Sequence, residues 1–318
     1  MAISEAMRVI LERAKANPAP DYPSLPINEA RDTFLRLTAY WNQKPQDVFH
    51  VEDLLIQTPD CALPARLYQP FEACVQEAVL IYAHGGGWTF GSVESHDSAV
   101  RRLALACGFR VLSIDYRLAP EHSFPAGHDD LMATISFVEK GGLGVPVPAH
   151  HIALAGDSAG ANLALGALLG RYVRGLPQLA TAALFYGCYA PDHETASHRR
   201  FGDGNFLLST DRMKWFWKNF LGSDRLEDPG LAAPLYASDD ALAGLPPLYL
   251  NAAGLDPLLD DSLLLITRLA HVGVTTRFDL FPGVVHGFQQ MGDELPQARE
   301  AFEKAGQWLR RYCAPLQA

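Results

Sequence analysis

Nucleophilic attack on a carbonyl needs three side-chain types: a hydroxyl, an imidazole to take its proton, and a carboxylate to orient the imidazole. Ser158 is the hydroxyl with the most telling surroundings, at the centre of Gly156-Asp157-Ser158-Ala159-Gly160. The apolar run Ile152 to Ala155 before it reads as a buried strand. The stretch Ala161 to Leu169 after it, rich in Ala and Leu, reads as a helix. Strand, sharp turn and helix with a serine at the apex is the context of a nucleophile elbow. A turn that tight strains the serine backbone, and side chains two residues to either side would strike the neighbouring strand and helix, so glycines are required there. The start of the helix offers free N–H groups to charge developing near the serine oxygen.

Partners for Ser158 must come from the carboxyl ends of other strands, where an open sheet places its reactive groups. His84-Gly85-Gly86-Gly87-Trp88 follows the apolar strand Ala78 to Ala83 directly. Three consecutive glycines are entropically costly, and the functional reading is exposed backbone. The N–H groups of Gly86 and Gly87, with that of Ala159, would face an oxyanion. Asp256, held by Pro257, follows strand Leu248 to Ala252, and His286 follows strand Thr275 to Phe281. Asp260 and Asp261 fall at a helix start, where carboxylates serve as caps or dipole partners. Among the eleven histidines, His150, His151, His193 and His198 read as solvated loop residues, and His84 as a ligand of its own loop backbone. Only His286 has a strand-end position downstream of Asp256.

The elements that must position these residues follow from the pattern of the chain. Residues 3 to 16 place Ile3, Ala6, Met7, Ile10, Leu11 and Ala14 on one helical face. After Pro18, Pro20, Pro23 and Pro26, a second helix is predicted with Ala30, Phe34, Leu37 and Trp41 on one face and Asn28 as its cap. Two strands joined by a turn follow, Val48 to Gln57 and Ala65 to Tyr68. Strands and helices then alternate to the end, with helices predicted near 97–107, 126–140, 160–173, 260–271 and 294–312 and strands at Arg110 to Ile114 and Thr181 to Tyr186. The long interval from 188 to 244 has no predicted strand but contains an aromatic-rich helix, Asp211 to Phe220. Alternation of this kind gives a mostly parallel sheet covered on both faces, with the first two strands antiparallel at one edge.

Composition narrows the function classes. The chain has 318 residues, 48% of them hydrophobic, enough for one large domain with an insertion. Its formal net charge of −10 and lack of any basic run argue against nucleic acid and anionic membranes as partners. The five cysteines are scattered, odd in number and without metal-ligand spacing, as expected of a reduced cytoplasmic protein that binds no metal. Glu5, Arg8, Glu12 and Arg13 interrupt any apolar run at the N-terminus, so no signal peptide is expected. Asp115, Arg117, Glu121 and Asp129 are expected to form a structural ion-pair network, and Asp157 to point away from substrate.

Taken together, His84-Gly-Gly-Gly-Trp88, Asp115-Tyr-Arg-Leu-Ala-Pro-Glu-His122, Gly156-Asp-Ser-Ala-Gly160, Asp256-Pro-Leu258 and His286-Gly-Phe288 resemble the hormone-sensitive-lipase-like group of α/β-hydrolases, and in particular its bacterial carboxylesterases. The resemblance spans residues 84 to 288 in the family's order, Ser before Asp before His. It implies the α/β-hydrolase fold: an eight-stranded, mostly parallel sheet flanked by helices. It also implies a helical cap built from 1–45 and an insertion at about 188–225, with 46–318 as the catalytic domain. The implied activity is hydrolysis of short- to medium-chain acyl esters by Ser158, Asp256 and His286, with no cofactor and a small-molecule ester as partner. A homodimer is common in the group. The same three side chains would cleave an amide or peptide, and the sequence does not separate the two. Hormone receptors of this fold resemble the group but lack the histidine, which His286 argues against. Trp88, Phe206, Leu207, Trp215 and Val285 are the candidate substrate-contacting residues, with the Phe201 to Phe220 cluster expected to roof an acyl pocket.

Overall fold

The structure is a computed structural model that describes residues 3–73, 75–222 and 229–313. In chain order the elements are α1 (Glu5–Ala16), α2 (Ile27–Thr38), β1 (His50–Gln57), β2 (Ala62–Gln69), β3 (Val75–Ala83), α3 (Val93–Cys107), β4 (Phe109–Ile114), α4 (Ala126–Glu139), β5 (Ile152–Asp157), α5 (Ala159–Val173), β6 (Thr181–Phe185), α6 (Ala196–Phe201), α7 (Thr210–Leu221), α8 (Pro229–Ala232), α9 (Asp239–Ala243), β7 (Leu248–Leu255), α10 (Leu259–His271), β8 (Thr276–Val285) and α11 (Pro296–Cys313). The strands form one eight-stranded sheet in the order β1-β2-β4-β3-β5-β6-β7-β8. β1 pairs antiparallel with β2 and β2 antiparallel with β4, while every pair from β4 to β8 is parallel.

The central parallel strands β4 to β7 are largely apolar because both faces are covered, while β8 at the edge carries half-buried Thr276, Arg277 and Asp279. On β3, Val79, Ile81 and Ala83 join one core with Leu131 and Ile135 of α4 and Leu165 and Leu169 of α5. The alternate residues Ala78, Leu80 and Tyr82 join a second core with Leu103 of α3 and Phe302 and Leu309 of α11. Period-2 side-chain alternation thus serves two helical layers at once. Met7 and Ile10 of α1 enter the second core, and Ala30 of α2 enters the first. The predicted cap for α2 is corrected: Pro26 precedes the helix and Asn28 lies within its first turn. Of the insertion expected at 188–225, residues 223–225 lie outside the described residues, as does Cys74.

Polar contacts fix the insertion to the sheet. Asp261 of α10, fully buried, accepts the N–H of Tyr189 at 2.6 Å and of Ala190 at 3.2 Å. Asp260 accepts the Ser197 N–H of α6 at 2.8 Å. These two carboxylates hold the chain as it leaves β6. The expected network among Asp115, Arg117, Glu121 and Asp129 does not form. Arg117 pairs with Asp130 and Asp60, Glu121 with Arg31, and Asp129 with His128 and Arg174, while Asp115 caps the Val93 N–H. His198 is likewise buried rather than solvated, its Nδ1 2.9 Å from the Thr210 hydroxyl.

Burial pushes the Asp261 carboxyl up to about 7, against the pull of its two N–H donors. The folded chain therefore keeps this proton over a range, from about 4 to about 7, in which the unfolded chain has lost it. The Asp261 contribution to stability is full below that window and falls as pH rises through it. Asp261→Asn, which keeps an acceptor for both N–H groups, is expected to lose this slope. Urea unfolding at pH 4.5 and 7.5 should show the variant gaining on the wild type at the higher pH. Parallel profiles would contradict the assignment.

Candidate active site

Ser158 sits between β5 and α5 with φ 54° and ψ −116°, a strained conformation for a residue with a Cβ. The strain is held by packing and by the Ser158 N–H, which donates to the Phe185 carbonyl at 2.9 Å. Gly160 shows why the turn needs glycine: a Cβ there would lie 1.9 Å from the Ala83 carbonyl oxygen. Elbow and glycine-rich loop are thus pressed together at the ends of β5 and β3, on either side of the point where strand order reverses.

His286 leaves the end of β8 with its ring edge-on to Tyr186, centroids 4.9 Å apart. Its Nε2 lies 2.9 Å from Ser158 Oγ and its Nδ1 2.8 Å from Asp256 Oδ2. Asp256 is fully buried at the end of β7, and its other oxygen accepts the Leu258 N–H at 2.8 Å. Hydrogen bonding of Nδ1–H to a carboxylate leaves Nε2 as an acceptor for the serine proton. Asp256, and not Asp260, therefore meets His286, and Asp260 is committed to α6.

The glycine loop is fixed from behind. Gly86 has φ 116° and Gly87 φ 59°, and a Cβ on Gly87 would meet the Phe216 ring at 2.2 Å. The Gly86 carbonyl turns back to accept the Phe90 N–H at 2.8 Å. His84 Nδ1 bonds the Gly85 carbonyl at 2.8 Å, as expected, and its ring stacks on Tyr116 at 4.4 Å. Burial, reinforced by nearby His96, lowers its pKa to about 3, so His84 is neutral at physiological pH. Asp157, the residue before the serine, accepts the Gly85 N–H at 2.8 Å and the Tyr82 hydroxyl at 2.7 Å, with His96 Nε2 at 3.5 Å. Burial alone would raise this carboxyl, but His96 and the two donors outweigh it and hold it at about 2. Asp157 is thus a permanent anion that ties the elbow to the loop.

Ser158, His286, Gly86 and Gly87 face a common cavity of about 210 Å³. Its upper walls are apolar: Leu208, Met213 and Phe216 from the insertion, and Tyr22, Phe34 and Trp41 from the N-terminal helices. A wider hollow of about 810 Å³, lined largely by α1 and α2, shares Tyr22, Phe34, Trp41, Leu207 and Arg212 with it. Leu207 is the one predicted substrate contact that lines the cavity. Trp88 is instead buried, stacked on Phe220 at 4.1 Å and against Trp217 at 4.6 Å. Phe206 packs edge-on to Phe201 at 5.5 Å, and Trp215 lies against Phe90 at 5.6 Å. Val285 is fully buried in the core below. α7 turns Met213 and Phe216 inward by their i, i+3 spacing, and Trp215 falls off that stripe. That spacing was the signal available; Tyr22, Arg212 and Met291 carried none. Among the described residues no cluster of His, Cys, Asp and Glu could hold a metal ion, and no helix is long and apolar enough to cross a membrane.

A family model described as the α/β-hydrolase fold matches residues 80–290, the span that holds Gly86, Gly87, Ser158, Asp256 and His286. The chain belongs to the hormone-sensitive-lipase-like α/β-hydrolases. It is 35% identical over 256 residues to carboxylesterase NlhH of Mycobacterium tuberculosis, covering 78% of each chain. It is 30% identical over 297 residues to ethyl acetate hydrolase of Pseudomonas putida, covering 91% of each. Among solved structures, a hyperthermophilic esterase from Pyrobaculum calidifontis superposes with a TM-score of 0.89 at 31% identity, covering 98% of this chain and 99% of that one.

The Asp157 bridge generates a stability prediction. Asp157→Ala would leave the buried Gly85 N–H and Tyr82 hydroxyl without an acceptor, at about 1–3 kcal/mol each. A loss of about 3 kcal/mol or more is expected in guanidinium unfolding. A loss below about 1 kcal/mol would mean that the loop is held by something else.

Proposed function

We propose that this α/β-hydrolase is a serine carboxylesterase of short- to medium-chain acyl esters, with Ser158, His286 and Asp256 as its catalytic triad. The observation that carries the proposal is the continuous chain of hydrogen bonds from Ser158 Oγ through His286 to Asp256, opening on a cavity beside Gly86 and Gly87. Ester hydrolysis is favoured by the relatives, which are named a carboxylesterase and an ethyl acetate hydrolase.

Ser158 Oγ attacks the ester carbonyl carbon while His286 Nε2 takes its proton. Asp256 holds the ring and stabilises the imidazolium. The carbonyl oxygen becomes an oxyanion that accepts from the N–H groups of Gly86, Gly87 and Ala159. One such donor is typically worth about a hundred- to thousandfold in rate. The intermediate collapses, the C–O bond to the alcohol breaks, and His286 delivers its proton to the leaving alkoxide. Water then attacks the acyl-enzyme with His286 again as base, releasing the acid and restoring Ser158. The free thiols of Cys61, Cys188 and Cys313 fit a reducing compartment, and the cytoplasm is the proposed location.

The cavity sets the range of substrates. At about 210 Å³ it is smaller than a typical drug-sized site and takes a short acyl chain. Each buried methylene gains about 0.8 kcal/mol, roughly fourfold in kcat/KM, until the wall is reached. Across 4-nitrophenyl esters, kcat/KM is expected to rise from acetate, peak at about four to eight acyl carbons and then fall. Phe216→Ala should move the peak to longer chains, whereas Phe206→Ala should not. A peak unmoved by Phe216→Ala would remove α7 from the acyl wall.

The assignment itself is tested by Ser158→Ala and Asp256→Asn against Asp260→Asn, assayed on esters and on matched amides. Ser158→Ala should abolish turnover in a folded protein. Asp256→Asn should cost several orders of magnitude in kcat and Asp260→Asn little. Equal losses from the two Asp variants, or efficient cleavage of the amides, would contradict the proposal.

A further inference from the structure

Among the described residues, Arg212 is the only Lys or Arg side chain lining the cavity above Ser158, and it also lines the wider hollow beyond. Its position is costly in three ways. It lies in the first turn of α7, where the helix dipole disfavours a cation. It is half-buried, and burial pushes its guanidinium below the usual arginine value. It forms no ion pair with a carboxylate among the described residues; exposed Asp21 attracts it only from a distance. Its contacts are one hydrogen bond from Nη1 to the Leu207 carbonyl at 3.1 Å and a stack over the Tyr22 ring at 4.9 Å. A guanidinium has five N–H donors, and the Leu207 bond uses one of them. The Leu207 bond does not need a positive charge, since a neutral donor would serve it, and the stack on Tyr22 engages the face of the guanidinium and leaves its remaining N–H donors unused.

The surroundings point the same way. The hollow that leads to Arg212 is lined by Arg8, Arg13, Lys15 and Arg36 against Glu12. Glu5 neutralises Arg8 and Glu294 neutralises Arg13, but Lys15 and Arg36 form no ion pair among the described residues. A chain with a formal net charge of −10 has thus gathered cations along one approach to its reactive serine. Such a cleft raises the local concentration of anions and guides them inward. Asp157 lines the same inner cavity and keeps its negative charge, but it is engaged by the Gly85 N–H and the Tyr82 hydroxyl and forms no ion pair with Arg212.

We infer that the substrates of this site are esters that also bear a carboxylate, with Arg212 as the residue that binds it at the junction of the two hollows. The inference rests on the esterase reading and names the substrate class for it. A planar guanidinium with unused donors matches a carboxylate bidentately. The chemistry at Ser158 is unchanged: water cleaves the ester, and the carboxylate is a handle remote from the reacting carbonyl. Binding through such a handle stabilises ground state and transition state alike, so it lowers KM more than it raises kcat.

The test compares matched esters, anionic against neutral. One arm places the carboxylate on the acyl side, 4-nitrophenyl hemi-adipate against 4-nitrophenyl hexanoate. The other places it on the alcohol side, acetoxyacetate against ethyl acetate, followed by acid release. The readout is the ratio of kcat/KM, anionic over neutral, in the wild type, Arg212→Gln and Arg212→Lys. In at least one arm the ratio is expected to fall about ten- to hundredfold in Arg212→Gln, mostly through KM, and to recover in part in Arg212→Lys. In the wild type, 0.5 M salt should lower kcat/KM for the anionic ester of that arm and leave the neutral one nearly unaffected. This second readout needs no variant to fold. Ratios that are the same in wild type and Arg212→Gln in both arms, or anionic turnover indifferent to salt, would overturn the inference. Turnover of the neutral esters by the wild type reads the esterase assignment separately, so the two failures are distinct.

Discussion

A buried carboxylate bridges the two halves of the reactive centre. Asp157 ends β5, one residue before Ser158, and its Oδ1 accepts from both the Gly85 N–H just past β3 and the Tyr82 hydroxyl. The glycine loop has no side chains of its own to anchor it, and an unanchored run of glycines would sample many conformations. Donors that are to stabilise an oxyanion must be in place before charge develops. Asp157 supplies that fixation from beneath, together with the close approach of Gly160 to the Ala83 carbonyl. Elbow and loop are therefore one unit: the turn that strains Ser158 also carries the anion that orders the loop beside it.

The second constraint is that the cavity above this unit is built from chain segments remote in sequence. Tyr22, Phe34 and Trp41 come from before the first strand, and Leu208, Met213 and Phe216 from the interval after β6. Neither segment belongs to the sheet. Each is tied down by polar contacts, among them those of Asp261 and Asp260 for the later one and of Arg31 with Glu121 and the Ala119 carbonyl for the earlier one. The chain of contacts from Ser158 through His286 to Asp256 thus rests on the sheet, while the shape and charge of the cavity above it rest on two segments outside the sheet.

What could be read in the sequence divides along the same line. The strands and helices of the sheet were legible because alternating short apolar runs and amphipathic stretches admit few arrangements, and the motif residues because backbone geometry near Ser158 permits so few residue types. Asp256 was distinguishable from Asp260 by its strand-end position alone. The cavity walls were far less legible. The aromatic cluster between Phe201 and Phe220 indicated that something packs there but not which faces turn inward. Phe206 and Trp215 were expected to face the cavity, whereas Met213 and Phe216 do. Trp88 adjoins the glycines in sequence, yet its ring is spent on Phe220 and Trp217. Tyr22 and Arg212 become neighbours only through tertiary folding, which no local pattern encodes. His198 and Arg117 failed for the same reason, since their partners Thr210, Asp130 and Asp60 are set by packing.

The central claim is that folding alone activates Ser158, through His286, Asp256 and a loop already ordered by Asp157. The most direct measurement is intact-protein mass spectrometry after brief exposure to a fluorophosphonate, with peptide mapping of the adduct. The serine oxygen displaces fluoride at phosphorus, and the tetrahedral product places a P–O oxygen where the oxyanion would lie. The account predicts one phosphonyl group per chain, on Ser158. A folded wild-type protein that remains unmodified, or one labelled at another residue with Ser158 intact, would contradict it.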